Sequence, residues 1–125
     1  MSTSYNAAVI DHFEHPRNAG RLLSGPEIVE GVAGSITQGV MFALTARIVA
    51  GRIEDVRYEV FGCPHCVAAG SWLTERLVGA ERDDLLEWSW REVADVMAVP
   101  TEKRGRLLIL EDAVRALASA WPNCT

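Results

Sequence analysis

The chain has few cysteines, a single lysine and no long apolar run. Three cysteines in 125 residues, at positions 63, 66 and 124, are too few and too unevenly spaced for a disulfide-stapled scaffold. Their odd number leaves at least one thiol free in a monomer, which suits a reducing compartment. No stretch approaches the roughly 18–20 apolar residues that a membrane span requires. Basic charge is also scarce: 12 Lys and Arg face 17 Asp and Glu, for a formal net charge of −5. A nucleic-acid partner needs a basic face, so none is expected. Met1-Ser2-Thr3-Ser4-Tyr5-Asn6 lacks a basic stretch leading into an apolar core. No signal peptide is therefore expected, and the chain reads as cytoplasmic. Internal repeats, charge blocks and low-complexity segments are missing too, which excludes solenoids and disordered tails.

What remains is an ordinary globular composition, 49% hydrophobic and 23% charged, expected to form one domain over residues 1–125 with a single core. Residues 4–15 place Tyr5, Val9, Ile10 and Phe13 on a spacing compatible with one helical face, and Pro16 ends that helix. From Glu27 the period changes to two. Val40, Phe42, Leu44, Ala46 and Ile48 share one predicted strand face, with Thr45 and Arg47 on the other. Ala50-Gly51 suits a hairpin turn, and Ile53 to Phe61 supplies the return strand, with Val56, Tyr58 and Val60 in phase. After Cys66 the period turns helical as far as Val78, with Gly79 just past the end. Ser89-Trp90-Arg91-Glu92 matches a capping box before a short helix. Leu107, Leu110, Val114, Leu117 and Trp121 then step by three and four, opposite Glu111, Asp112 and Arg115. The order predicts an α+β fold: a three-stranded antiparallel sheet packed by an N-terminal helix and three to four C-terminal helices.

The chemically suggestive feature is Phe61-Gly62-Cys63-Pro64-His65-Cys66, between a predicted strand and a predicted helix. Two thiols three residues apart can address one centre, and a helix N-terminus favours thiolate. Two chemistries use this arrangement: a redox dithiol, and a metal or iron–sulfur site built on deprotonated sulfur. As a bare motif, Cys-Pro-His-Cys resembles the active site of thioredoxin-like disulfide oxidases. That fold needs a βαβ unit, however, and residues 27–61 read as an antiparallel meander. Cys63, Cys66 and His65 are the candidate metal ligands, with Cys63 and Cys66 the candidate cluster-binding residues. Cys124 reads as inert, His12 as a structural histidine, and His15 as exposed. Trp72, Trp88, Trp90 and Trp121 read as core or interface residues. No base-activated nucleophile or carboxylate pair can be located, so catalysis by the chain alone is not expected.

Several segments in register resemble the IscU/NifU-like iron–sulfur cluster scaffold family. Val9-Ile10-Asp11-His12-Phe13-Glu14-His15-Pro16-Arg17-Asn18-Ala19-Gly20, preceded by Tyr5, is similar to the family's amino-terminal signature. Ile53-Glu54-Asp55-Val56-Arg57-Tyr58 and Phe61-Gly62-Cys63 resemble its third strand and central cysteine loop, and Leu110-Glu111-Asp112-Ala113-Val114 the start of its final helix. The resemblance implies assembly of a [2Fe–2S] cluster on an exposed tip, with a cysteine desulfurase, chaperones and other cluster-assembly proteins as partners. It places the family's middle cysteine at Cys63, its first cysteine at Thr37 and its aspartate at Gly39. The His-Cys pair before the final helix falls at Gly105-Arg106, and Val99-Pro100-Thr101-Glu102-Lys103 keeps one proline and the lysine of the chaperone-recognised segment. Threonine and glycine do not replace thiolate toward iron, and Arg106 brings positive charge against a metal.

The residues thus point to a divergent scaffold that binds iron, a [2Fe–2S] cluster or zinc through a rearranged Cys63–His65–Cys66 turn. A homodimer meeting at the tip would supply two thiol pairs. A cluster-free interaction or regulatory paralogue is the alternative, and a thiol or persulfide relay using Cys63 and Cys66 is the third.

Overall fold

The computed structural model describes residues 5–122, so Cys124 lies outside the described residues. Helix α1 (Ala7–Glu14) leads into strands β1 (Ile28–Ser35), β2 (Val40–Val49) and β3 (Arg52–Phe61). Helices α2 (Pro64–Leu77), α3 (Arg82–Glu87), α4 (Trp90–Val96) and α5 (Gly105–Ser119) follow, with one 3-10 turn at Thr101–Lys103 before α5. The strands form one antiparallel sheet in the order β1-β2-β3, the predicted α+β architecture. Among the described residues no helix is long and apolar enough to cross a membrane.

Ala50 and Gly51 both take positive φ, 54° and 76°, the two-residue turn that matches the twist of an antiparallel hairpin. A register shift beside Arg47 and Ile48 leaves Glu54 out of the ladder. This bulge is why Ile53 and Val56, an odd step apart, are both buried, 1% and 0% exposed. Phe42, Leu44, Ala46 and Ile48 face the helices as the alternation predicts. Thr45 corrects that alternation: it is buried on the opposite face. The segment after α1 crosses there, with the Leu22 amide donating to Thr45 Oγ1 at 3.0 Å. Arg21 pairs with Glu30 on β1 and Glu59 on β3, bridging over the middle strand.

Helix α1 also turns differently from its apolar spacing. Asn6 caps it by accepting from the Val9 amide, and the buried face is Val9 with His12, whereas Ile10 and Phe13 are exposed. His12 is satisfied structurally: its Nδ1 lies 2.7 Å from Ser71 Oγ on α2. Burial, then the Arg17 charge, lower its pKa, and His15 is exposed. The reciprocal capping box sits at Glu81 and Asp84, at the start of α3. At the predicted box, Ser89 caps α4 through the Arg91 amide alone. Glu111 and Arg115, expected on a solvent face, instead hold the α3–α4 connection. Arg115 donates to the Leu85 and Trp88 carbonyls, and Glu111 accepts from the Trp90 amide.

Helix α5 covers β1 and β2 while α2 covers β3, and Leu107, Leu110, Val114 and Leu117 fill the space between as their period predicts. Trp72 is in the core, and Trp88, Trp90 and Trp121 pack against it half-buried. Under α2 lies Tyr58, 2% exposed. A Cβ at Gly70 would stand 2.5 Å from its Cδ2, so α2 approaches β3 closely only because residue 70 has no side chain. Gly70→Ala is expected to destabilise the fold by about 2–3 kcal/mol, because neither the buried ring nor the helix backbone has room to give. Urea unfolding measures this; a loss within about 0.5 kcal/mol would contradict the tight α2–β3 contact.

Candidate functional site

Antiparallel pairing brings Ser35 opposite Val40 and Met41 opposite Phe61, so the β1–β2 turn and the end of β3 share one end of the sheet. The chain leaves β3 at Phe61 and enters α2 at once. Pro64 occupies the first helical turn, where its missing N–H costs nothing, and Cys63 is the N-cap residue. The helix therefore starts two residues before Cys66, earlier than the periodicity suggested, and His65 and Cys66 lie within its first turn. Backbone bonds from the Cys66 and Val67 amides to the Cys63 carbonyl close that turn at 2.8 and 3.2 Å.

The two sulfurs are 3.7 Å apart, within hydrogen-bonding reach, and both cysteines are free. Their surroundings differ. Cys63 is half-buried, while Cys66 is 0% exposed. A Cβ at position 62 would fall 2.9 Å from Cys66 Sγ, so Gly62 leaves the room that sulfur occupies. The hydrogen bond from Cys66 holds the Cys63 thiol well below the usual range, with the Cys66 amide, the Arg106 guanidinium and the His65 amide acting the same way against burial. Cys66 moves in the opposite direction, raised by its bond to Cys63 and by burial. The two shifts run in opposite directions, so negative charge is favoured on Cys63 rather than on Cys66.

Arg106, at the start of α5, has its own pKa raised by the hydrogen bond with Cys63. By sequence alone this arginine reads only as a positive charge against a metal. With α5 placed against the tip, Arg106 is also near enough to Cys63 to favour its thiolate form. His65 is 3% exposed, and its ring stands edge-on to Tyr5 with centroids 4.8 Å apart. Its Nδ1 is buried without a hydrogen-bond partner. Burial lowers its pKa, which keeps the imidazole neutral at pH 7. Thr37 and Gly39 are exposed in the neighbouring β1–β2 turn, and Gly105 is exposed at the start of α5. Among the described residues, no three His, Cys, Asp or Glu side chains are grouped to hold a metal ion. The geometry therefore unites Cys63 and Cys66, with Arg106 and His65 near enough to act on the Cys63 thiol and the His65 ring also against Tyr5.

The NifU-like N-terminal domain model matches residues 4–124. The chain belongs to that family. It is 31% identical over 119 residues to iron sulfur cluster assembly protein 1 of Trachipleistophora hominis, covering 94% of this chain and 86% of the relative. It is 30% identical over 115 residues to the iron–sulfur cluster assembly scaffold protein IscU of Azotobacter vinelandii, covering 90% of each. The fold matches the N-terminal part of a nitrogen-fixing NifU-like protein from Brucella abortus with a TM-score of 0.65 at 18% identity, over 92% of this chain and 90% of that one. These likenesses agree with the resemblance and the α+β fold read from the sequence.

A depressed pKa keeps a thiolate populated until the pH falls through that lower value. Alkylation of Cys63 by iodoacetamide is accordingly expected to hold near its full rate from about pH 8.5 down to about pH 6, unlike an ordinary thiol. Arg106→Gln removes the counter-charge, raises the Cys63 pKa and slows labelling at the low end of that range. Mass mapping of the labelled residue against pH tests both; an unchanged profile in the variant would remove Arg106 from the site.

Proposed function

We propose that this protein serves iron–sulfur cluster assembly by holding soft metal in transit, iron or a [2Fe–2S] unit, through Cys63 and Cys66. The observation that carries this reading is the 3.7 Å separation of the two sulfurs. Two thiolates bound about 2.3 Å from one tetrahedral ion lie about 3.7–3.8 Å apart, so the pair needs little movement to grip a metal. The names of the relatives support the same assignment, since they are iron–sulfur cluster assembly proteins. In this role the chain is a carrier rather than an enzyme.

Four ligands are needed and one chain offers two thiols at the tip. Thr37, Gly39, Gly105 and Arg106 stand where the resemblance puts ligands, and none of them supplies thiolate or imidazole. A second copy meeting this one at the tip completes a four-thiolate set, the usual coordination of a [2Fe–2S] cluster. The same sulfur donors also accept zinc.

A groove beside the tip favours a second reading, a cluster-free regulator that docks other assembly proteins such as a cysteine desulfurase. It encloses about 190 Å³ and is lined by Tyr5, Val9, Ile10, Phe13, Glu14 and Pro64, of which Ile10 and Phe13 are each 46% exposed.

Anaerobic incubation with ferrous iron and sulfide separates the two readings. The carrier role predicts visible charge-transfer absorption, one [2Fe–2S] unit per pair of chains, and loss of both in Cys63→Ser and in Cys66→Ser. A colourless, metal-free wild-type product overturns it. Binding of a desulfurase that survives loss of both thiols then supports the regulator.

A further inference from the structure

We infer that Cys63 and Cys66 also act in sequence on sulfane sulfur, Cys63 accepting it and Cys66 expelling it as sulfide. The inference rests on the reading of these two residues as the working pair, and it assigns different tasks to the two sulfurs. Position carries the argument. Cys63 is half-buried at the N-cap of α2, so an outside donor reaches its sulfur. Cys66 is 0% exposed, so the same donor does not reach it. The two sulfurs nevertheless lie 3.7 Å apart, so whatever forms on Cys63 meets Cys66 next. The lack of a side chain at Gly62 leaves room for Cys66 Sγ, and Arg106 beside Cys63 offers a positive charge to an anion formed on its sulfur.

The chemistry balances within the pair. The Cys63 thiolate attacks the terminal sulfur of a donor of the polysulfide or persulfide class, and the donor's S–S bond breaks. The rest of the donor leaves with the electron pair, as a thiolate or a polysulfide one sulfur shorter, and Cys63–S–S⁻ forms. Cys66 Sγ then attacks Cys63 Sγ. The bond between Cys63 Sγ and the added sulfur breaks, and its electron pair leaves with that sulfur. The proton of the Cys66 thiol goes with it, so the products are HS⁻ and a Cys63–Cys66 disulfide. Sulfane sulfur is reduced by two electrons, and the two cysteine sulfurs are oxidised by one electron each. A dithiol reductant restores the pair for another cycle. The chain would thus deliver sulfur at the oxidation level that a cluster needs, drawing the electrons from its own thiols.

The test uses the full chain carrying Cys124→Ser, which leaves Cys63 and Cys66 as its only thiols. The reduced protein is mixed with inorganic polysulfide without oxygen, and released sulfide and intact mass are read over time. The parent chain is expected to release sulfide beyond a protein-free control and to lose two hydrogens as the disulfide forms. Cys66→Ala, a small apolar replacement suited to that buried position, is expected to gain one sulfur atom on Cys63 and to lose sulfide release. Cys63→Ser is expected to show neither change. A parent chain that keeps the added sulfur without forming a disulfide overturns the inference, whether or not the variants fold. Sulfide release by Cys66→Ala at the parent rate overturns it equally. Iron loading of the same parent preparation is scored separately: a chain that forms the disulfide but binds no iron keeps this inference and loses the carrier role, and the converse result does the reverse.

Discussion

Tyr58 is the residue on which the placement of the tip depends. Its backbone amide donates to the Asn18 carbonyl and its own carbonyl accepts from the Gly20 amide, at 2.9 and 2.8 Å. The chain following α1 is thereby tied to the free edge of β3, as an isolated parallel bridge between Ala19 and Tyr58. The ring lies under Gly70, and the hydroxyl donates to the Val67 carbonyl at 3.0 Å. Burial pushes its pKa up to about 12, so it stays a neutral donor at any ordinary pH. A buried hydroxyl left without an acceptor costs about 1–3 kcal/mol, which fixes the rotation of α2 as well as its height over the sheet. Val67 directly follows Cys66. The contact that seats the helix therefore also sets where the two sulfurs point.

Charge then distinguishes those sulfurs. The protein as a whole is acidic, yet cations gather around the tip: Arg106 beside Cys63, and Lys103 with Nζ 6.0 Å from the Tyr5 ring. The amide ends of α2 add partial positive charge, which falls off within the first turn. Cys63, at the N-cap, receives all of this, and its pKa is lowered. Cys66, one turn deeper and sealed from water, is shifted the other way, toward the protonated form, by its bond to Cys63 and by burial. A symmetric pair of exposed thiols would show no such division. The difference follows from a helix that begins at Pro64, since a later start would leave both cysteines in a loop.

Much of this was legible in the residues, and what was not has identifiable causes. The hairpin at Ala50-Gly51, the helical period from Leu107 to Leu117 and the end of α2 at Gly79 are local signals, and the structure realises them where they were read. Pairs formed across long sequence separations were not readable. Thr45 looks outward by alternation and is buried because residues 17–25 return over the sheet. Ile10 and Phe13 look like core by spacing, yet α1 turns His12 inward, where Ser71, far along the chain, offers a hydrogen bond. His65 is within reach of Cys63, as its sequence neighbours suggest, but its burial edge-on to Tyr5 was not readable. Arg106 carried no local signal of its place beside Cys63. In each case a tertiary partner decided between readings that the local pattern left equal.

The same distinction bears on how cargo would be held. Ligands at the positions of Thr37, Cys63 and Gly105-Arg106 come from separate segments, so a site built on them depends on the whole tip closing around its metal. Cys63 and Cys66 share one helical turn, and their spacing survives any movement of the β1–β2 turn or of α5. A pair of that kind grips from one side and leaves the other open, the geometry a hand-over between two proteins requires. Arg106 adds direction. Its charge stabilises the metal-free thiolate, so under the carrier reading a bound metal must displace that interaction and regains no equivalent one from Thr37 or Gly39. Under that reading Arg106 weakens the hold of the pair on its metal relative to a pair without the counter-charge, which suits passing cargo onward.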